Sequence, residues 1–341
     1  MRVAIVGATG AVGGEFLDLL AERKFPLTTL TLYASARSAG KKVAFKNQEL
    51  TVKALPEDGD LQADIVFSSA GGSLSKAQAW DWAKAGATVI DNTSAWRMDE
   101  RVPLVVPEIN GEDALTHTGV IANPNCSTII ALMALAPLHR AFGLTRATVA
   151  TYQAVSGAGA AGIDELAQQS IAALNGETVT PKKFQHPIAF NLFSHDTEIG
   201  KDGYNVEERK LLQESRKILH APDLLISATC VRVPVFRAHS EAIHAEFARP
   251  VSAEEVRAVL QDAAGLQLAD DRAGNTFPMP LSVSGQDDCF VGRIREDSSR
   301  PGSIALFVAG DQIRKGAALN EVQIGEFLVA RGAVETGLVN A

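Results

Sequence analysis

Cys126 stands in the run Asn123-Pro124-Asn125-Cys126-Ser127-Thr128, directly ahead of an apolar stretch from Ile129 to Leu138. A cysteine at a helix N-terminus has its thiolate stabilised by the aligned peptide dipoles, which lowers its pKa and makes a nucleophile. The blander alternative is a small buried hydrophobe, a common fate of free cysteine. Cys230 and Cys289 take that second reading, because both lie inside strand-like runs. Cys126 differs in its polar neighbours and its place at a helix start.

A second cluster opens the chain. Gly7-Ala8-Thr9-Gly10-Ala11-Val12-Gly13 lies between a short apolar run and a helical pattern. Glycines there let the backbone turn sharply, and the helix N-terminus offers free N–H groups to a pyrophosphate. The spacing is GxxGxxG and departs from the strict GxGxxG dinucleotide fingerprint. A bare tight turn is the competing reading, and the position after a buried strand favours the dinucleotide. The next strand ends Tyr33-Ala34-Ser35-Ala36-Arg37-Ser38. An NAD site would place Asp or Glu here on the ribose 2′-hydroxyl, whereas a cation with hydroxyls suits a 2′-phosphate. NADP is the expected cofactor.

These residues need a scaffold, and its outline is legible. Val3–Val6, Leu30–Tyr33, Ile65–Phe67 and Val89–Ile90 read as short buried strands. Between them, Val12, Phe16, Leu19 and Leu20 recur at helical spacing, and Leu74–Ala85 repeats that pattern. Such alternation implies right-handed crossovers and a parallel sheet. The expectation is an α/β Rossmann-type doubly wound domain over 1–124. Beyond Pro124 the runs Ala147–Val155, Ile226–Phe236, Cys289–Ile294 and Ser303–Val308 alternate with helices. They suggest a mixed sheet, hence an α+β substrate and dimerisation domain over 125–315. A C-terminal helix, about 316–341, is expected to pack on the first domain. The stretch Asn175–Asn205 has glycine, proline and little periodicity, and so long an irregular segment is usually functional.

Composition excludes several classes. With 32 Lys and Arg against 40 Asp and Glu, the 341-residue chain carries a formal charge of −8, and it has no basic stripe. Nucleic acid is therefore not an expected partner. No run approaches the roughly 20 apolar residues of a membrane span, and the opening lacks a signal-peptide pattern. Three scattered cysteines without a CxxC pair argue against a disulfide framework or a structural zinc site, and no metal is expected. The chain reads as cytoplasmic.

Taken together, the glycine turn, Asn123-Pro-Asn-Cys126-Ser-Thr, Tyr152-Gln153-Ala-Val-Ser156-Gly157 and Arg232-Val-Pro-Val-Phe-Arg-Ala-His239-Ser-Glu resemble the aspartate-β-semialdehyde dehydrogenase family. The motifs span residue 7 to Gly310-Asp-Gln312, in the family's order. Relatives that reduce N-acetylglutamyl phosphate carry Gly in place of Asn125 and an aromatic residue after the cysteine, so Asn125 and Ser127 favour the aspartyl branch.

The resemblance implies that Cys126 attacks L-4-aspartyl phosphate, forming a thioester that NADPH reduces to L-aspartate 4-semialdehyde for lysine, threonine, methionine and diaminopimelate synthesis. A soft sulfur both attacks and leaves well. His239 matches the acid/base histidine, against the bland reading of a satisfied strand histidine; His244 lies five residues on. Gln153 would orient substrate, and Arg232 would grip its α-carboxylate with a bidentate fork. Arg237 reads as peripheral. Arg97 and Lys210 match phosphate-binding cations, against a surface arginine and a helical i,i+3 charge pair. Glu207, with Glu208 as the competing choice, would meet the substrate amino group, and Asn125 would add a phosphate contact.

For the cofactor, Gly7, Thr9, Gly10, Ala11 and Val12 fall to the pyrophosphate and Arg37 with Ser38 to the 2′-phosphate. Ser156, Gly157, Gln312 and Asn320 fall near the nicotinamide. A homodimer is the family's usual assembly. Two other functions remain open at this stage, N-acetylglutamyl-phosphate reductase and a non-catalytic dinucleotide-binding redox sensor. A degenerate sensor would lack the cysteine, glutamine or histidine, and this chain has all three.

Overall fold

The computed structural model describes residues 1–56 and 59–334, so the 335–341 end of the expected C-terminal helix lies outside the described residues. The chain divides into two compact units, Met1–Pro124 with the segment from Ala317 onward, and Asn125–Gly316.

The first unit contains β1 (Arg2–Val6), β2 (Thr29–Ala34), a hairpin of β3 (Lys42–Phe45) and β4 (Gln48–Thr51), β5 (Lys53–Ala54), β6 (Ile65–Ser68), β7 (Thr88–Asp91) and β8 (Val120–Ala122). Six of them form a parallel sheet in the order β5-β2-β1-β6-β7-β8. Val3 to Val6 and all of β6 and β7 are buried, as strands of a sheet covered on both faces must be. The order reverses between β1 and β6, and in doubly wound sheets ligands bind at that switch point. Helix Ala11–Glu22 starts there, and its Phe16, Leu19 and Leu20 enter the core at the predicted spacing. The last helix runs Leu319–Ala330, shorter than expected and preceded by a turn of π-helix at Arg314–Ala318. Its Leu319, Val322, Ile324 and Leu328 join Phe16 and Phe67 in this core.

The second unit contains β9 (Leu144–Gln153), β10 (Phe193–Ser194), β11 (Leu225–Arg232), β12 (His239–Phe247), β13 (Leu266–Leu268), β14 (Cys289–Glu296) and β15 (Ile304–Gly310). They form one mixed sheet, β10-β11-β9-β12-β15-β14-β13. Helices Cys126–Phe142, Val206–Ile218 and Ala253–Gln261 pack against it. Along β9, Ala147, Val149, Thr151 and Gln153 are buried while Tyr152 is exposed, so the opposite face is open. Strand β11 stops at Arg232 rather than running on to Phe236, because Pro234 has no N–H to continue a ladder. Val155, expected within a strand, lies in a 3-10 turn. Segment 175–205 is irregular apart from β10 and a bridge between Ile199 and Asn205.

One buried group makes a stability prediction. Glu241 on β12 is fully buried, and neither carboxylate oxygen finds a hydrogen-bond partner among the described residues. Burial raises its pKa well above the usual carboxylate value, so the folded protein holds it neutral while the unfolded chain ionises it. The folded state then binds the extra proton, and stability is lost as pH rises from the unfolded pKa toward the folded one. Glu241→Gln cannot titrate. Its unfolding free energy is expected to gain on that of the native protein steadily between pH 5 and pH 8, at a slope of at most about 1.4 kcal/mol per pH unit, with the melting temperature rising alongside. Parallel melting curves across that range would show the carboxyl to be ionised in both states.

Candidate active site

Cys126 is the first residue of a 17-residue helix and is half-buried. Its N-cap is Asn125, whose side-chain oxygen accepts from the Ser127 and Thr128 N–H groups at 3.1 and 3.3 Å. The Asn125 N–H donates to Glu214 Oε2 at 2.6 Å. The cap thus does two jobs: it ends the chain's extended approach, and it fixes the cysteine where the helix dipole is strongest. Gly316 lies against it, since a Cβ there would stand 2.9 Å from the Cys126 Cβ.

The sheet brings the other residues together. In register, β11, β9, β12 and β15 place Arg232, Gln153, His239 and Gly310 in one row on the helix-covered face. Glu207 ties this row to the cysteine's cap. Its Oε1 accepts from Asn125 Nδ2 at 2.8 Å and from Gln153 Nε2 at 3.1 Å, and its Oε2 accepts from Lys210 Nζ at 2.9 Å. Burial alone would raise the Glu207 pKa, but the charge of Lys210 and the hydrogen bonds from Lys210 and Asn125 hold it far below the usual carboxylate range. It is a buried, permanent anion. The i,i+3 charge pair is therefore real, and it sits inside the site rather than on a solvated face.

Glu208 is excluded from this cluster by its own work. It closes a capping box with Asn205, and its Oε1 accepts from Cys230 N at 3.1 Å. The Asn205-x-x-Glu208 spacing carried that signal in the sequence.

Arg232 and His239 meet at Ala154. The Ala154 carbonyl accepts from Arg232 Nη1 at 2.7 Å, and its N–H donates to His239 Nδ1 at 3.0 Å. Because Nδ1 accepts, the ring proton lies on Nε2, which is buried and has no partner among the described residues. Burial first, then Arg232, pushes the His239 pKa well down, so the ring is a neutral N–H donor. Gly157 leaves room beside it: a Cβ there would lie 3.2 Å from Arg232 Nη1 and 3.3 Å from His239 Nε2. Burial also lowers Arg232, opposed by Asp196, Glu207 and the Cys126 sulfur, which places those charges around it. Arginine stays protonated regardless.

Ala238, just before His239, holds φ at +71°, a region that strains an L-residue. Gln312 fixes it, with Oε1 accepting the Ala238 N–H at 2.8 Å and Nε2 donating to Ser156 Oγ. Ser156 and Gln312 are thus brought to the edge of the histidine. His244 is on the opposite sheet face, exposed and paired with Asp297 at 2.7 Å. Arg237 bonds Asp311 at 2.6 Å.

In the first unit, Arg97 is not the surface arginine of the bland reading. It is 7% exposed and donates to the carbonyls of Asn123 and Asn92 at 2.9 and 2.8 Å. Asn320 is fully buried and donates to Val105 O and Asn123 Oδ1 at 2.9 and 2.7 Å. Both therefore brace the segment that leads to Cys126. The glycine turn needs its glycines: Gly7 has φ +94°, and a Cβ on it would stand 2.7 Å from Ser69 O. A Cβ on Gly13 would come within 2.3 Å of Gly7 O. Helix Ala11–Glu22 has no side-chain N-cap, which leaves its first-turn N–H groups to an anion. Thr9 Oγ1 donates to Ser38 Oγ at 3.4 Å, joining the turn to the exposed Arg37. A dinucleotide fits this cradle. Among the described residues no group of His, Cys, Asp or Glu is placed to hold a metal ion, and no helix is long and apolar enough to cross a membrane.

Sequence reasoning missed His195, Asp196, Glu214, Ala154 and Gly316. The first two lie in the aperiodic segment, Ala154 acts through its backbone, and no motif marks Glu214. Gly316 follows Lys315 at the start of a helical pattern, with nothing local to mark it.

Comparison with known proteins gives the same architecture a family. Residues 2–117 match the model of the semialdehyde dehydrogenase NAD-binding domain, and 135–315 that of the semialdehyde dehydrogenase dimerisation domain. An aspartate-semialdehyde dehydrogenase of Synechocystis is 52% identical over 97% of this chain and 98% of its own length. One from Aquifex aeolicus is 51% identical over 98% and 99%. The crystal structure of aspartate semialdehyde dehydrogenase II of Vibrio cholerae, complexed with ASA, superposes with a TM-score of 0.93 at 45% identity, covering 96% of this chain and 98% of that one. A Candida albicans enzyme solved with NADP gives 0.74 at 27%, covering 98% and 99%.

Proposed function

The chain belongs to the aspartate-semialdehyde dehydrogenase family, and on that premise we propose that it performs the NADPH-dependent reductive dephosphorylation of L-4-aspartyl phosphate to L-aspartate 4-semialdehyde. It is an oxidoreductase of amino-acid biosynthesis with a Rossmann dinucleotide domain. The observation that carries the mechanism is the Glu207 carboxylate, bonded at once to the cap of the Cys126 helix and to Gln153 in the row that holds Arg232 and His239.

The Cys126 sulfur attacks the acyl carbon; the S–C bond forms, the C–O bond to phosphate breaks, and the leaving phosphate takes its proton from solvent. When bound, NADPH would supply the hydride. At each tetrahedral stage the oxygen on that carbon becomes anionic, and the His239 Nε2–H meets it as a donor in a dry site. Breakage of the C–S bond then frees the aldehyde and restores the thiolate. Arg232 holds the α-carboxylate and Glu207 the α-ammonium, each being a buried charge of the opposite sign. Lys210, with further N–H groups beyond its bond to Glu207, would meet the phosphate together with Asn125, and Arg97 keeps its proposed role as a further phosphate cation. Arg37 and Ser38 would hold the 2′-phosphate and Gly7 and Thr9 to Val12 the pyrophosphate, and Ser156, Gly157 and Gln312 would be the residues for the nicotinamide. Asn320 acts one step back, through Asn123.

The open sheet face with Tyr152 and Leu225, 40% and 56% exposed, is the surface on which a second copy pairs. The enzyme works in the cytoplasm. The test is NADPH formation from aspartate 4-semialdehyde, with NADP or NAD, in the presence and absence of phosphate. Activity that requires phosphate and favours NADP is expected. A protein that binds NADP yet turns over N-acetylglutamate semialdehyde instead would defeat the substrate assignment.

A further inference from the structure

Arg232 is flanked by segment 175–205, whose β10 pairs with β11 at this residue and whose purpose the catalytic scheme leaves open. The Phe184 ring centroid stands 5.8 Å from the guanidinium carbon. His195 Nε2 lies 2.8 Å from Arg232 Nη2, and Asp196 Oδ1 lies 3.9 Å from the same nitrogen. The segment is built to hold these groups still. Helix Ala160–Leu174 offers buried Gln169, which accepts from Ile188 N and Ala189 N at 2.7 and 3.2 Å, and Glu165, which accepts from Lys182 N at 3.1 Å. Phe184 and Ile188 pack with Val155 and Leu166, and the His195 N–H donates to Cys230 O at 2.8 Å.

A guanidinium has no lone pair, so in the 2.8 Å contact it must donate and His195 Nε2 must accept. The ring proton then resides on Nδ1, 3.8 Å from Asp196 Oδ1. Arg232 Nη1 is taken by Ala154 O, while Nε is buried with no partner among the described residues. We infer that His195, as a neutral Nδ1–H imidazole, is a positioning residue that aims the Arg232 fork at the substrate carboxylate, and that protonating it releases that aim. This rests on the reading of Arg232 as the carboxylate clamp.

Protonation would put an N–H on Nε2, leaving two donors and two positive charges face to face at 2.8 Å. The charged and titratable groups facing His195 are Glu207 and Lys210 on helix Val206–Ile218, Arg232 on β11, His239 on β12 and Asp196 beside it. Burial lowers the His195 pKa first; Glu207 and Asp196 pull it up, Arg232 and Lys210 down, with a net fall. The ring is therefore neutral at physiological pH and charges only in acid.

The experiment measures KM for the semialdehyde, at saturating NADP and phosphate, from pH 8 to pH 5, in the native enzyme, His195→Gln, His195→Leu and Arg232→Lys. Gln offers an acceptor oxygen that does not titrate, and Leu offers none. His195→Leu is expected to raise KM about tenfold to a hundredfold at neutral pH, the range for an unmade bond to a charged group. Its kcat and its KM for NADP and phosphate should stay within about threefold, since the effect is confined to the carboxylate clamp. His195→Gln should lie close to the native value at pH 7.5 and lack the native rise in KM toward pH 5. Equal KM values for Gln and Leu, or an acid rise that persists in His195→Gln, overturn the proposal. If Leu does not fold, the pH comparison of Gln with native decides alone. An unchanged KM in Arg232→Lys would instead sink the clamp reading itself; a large rise there beside silent His195 variants would sink only His195.

Discussion

Cys126→Ser is expected to lower turnover by about ten-thousandfold or more, with NADP affinity unchanged within about twofold. The serine occupies the same first position of the helix, and the Asn125 cap needs only the N–H groups of Ser127 and Thr128. Geometry is thus preserved while chemistry is not. An alcohol is scarcely ionised at neutral pH, so the helix dipole has no anion to stabilise. An ester also expels its alkoxide less readily than a thioester expels thiolate. The glycine turn that receives the dinucleotide lies in the other unit, between β1 and its helix. Steady-state turnover and fluorescence titration with NADPH read the two effects apart. Residual turnover within tenfold of native would mean that the thioester is not on the path.

The second large effect concerns which way His239 moves its proton. The Nδ1 atom accepts from Ala154 N–H, and the proton on buried Nε2 has nothing to donate to until an acyl oxygen arrives. His239→Asn can keep the Ala154 bond with its Oδ1 but cannot reach the Nε2 position. His239→Gln can place an amide N–H near it. Loss of a single donor to a developing oxyanion costs about a hundredfold to a thousandfold in kcat, and that is the expectation for Asn. Gln should recover at least about tenfold of it, because only the donor is restored. Alkylation of Cys126 by iodoacetamide should proceed at the native rate in both. Equal loss in Asn and Gln, with slowed alkylation, would make His239 the base that ionises the cysteine.

Much of this was legible from residues alone, and the boundary is physical. Cys126 could be placed because a polar cap, a cysteine and an apolar helix are contiguous. The glycine turn could be placed because strand, turn and helix are adjacent in the chain. The row of Arg232, Gln153 and His239 follows from strand register, and Ala154 and His239 are 85 residues apart. No local pattern fixes which residues of distant strands stand side by side, so family resemblance, not periodicity, selected them. His195 had neither motif nor period to mark it: it follows a strand only two residues long, and its partner is an arginine on β11. The bland surface reading of Arg97 fails because its guanidinium is buried against the carbonyls of Asn92 and Asn123, and no local pattern marks the second of these. The choice between Glu207 and Glu208 is the opposite case. There the capping-box spacing was present and sufficient.

The row also governs when the site can exist during folding. Each of its members comes from a different strand, and side chains alternate across a sheet with a period of two. A slip of one residue between β12 and β9 would turn His239 away and present Ser240 beside Gln153, so no partly correct pairing gives a partly correct site. The cysteine's helix is local and can form early, but β9 must wait for β11 and β12 to arrive from far down the chain, the costly kind of closure. The reactive sulfur therefore precedes its clamp and its donor. Contact order thus predicts an interval during folding in which Cys126 is available to oxidants while nothing yet recognises its substrate.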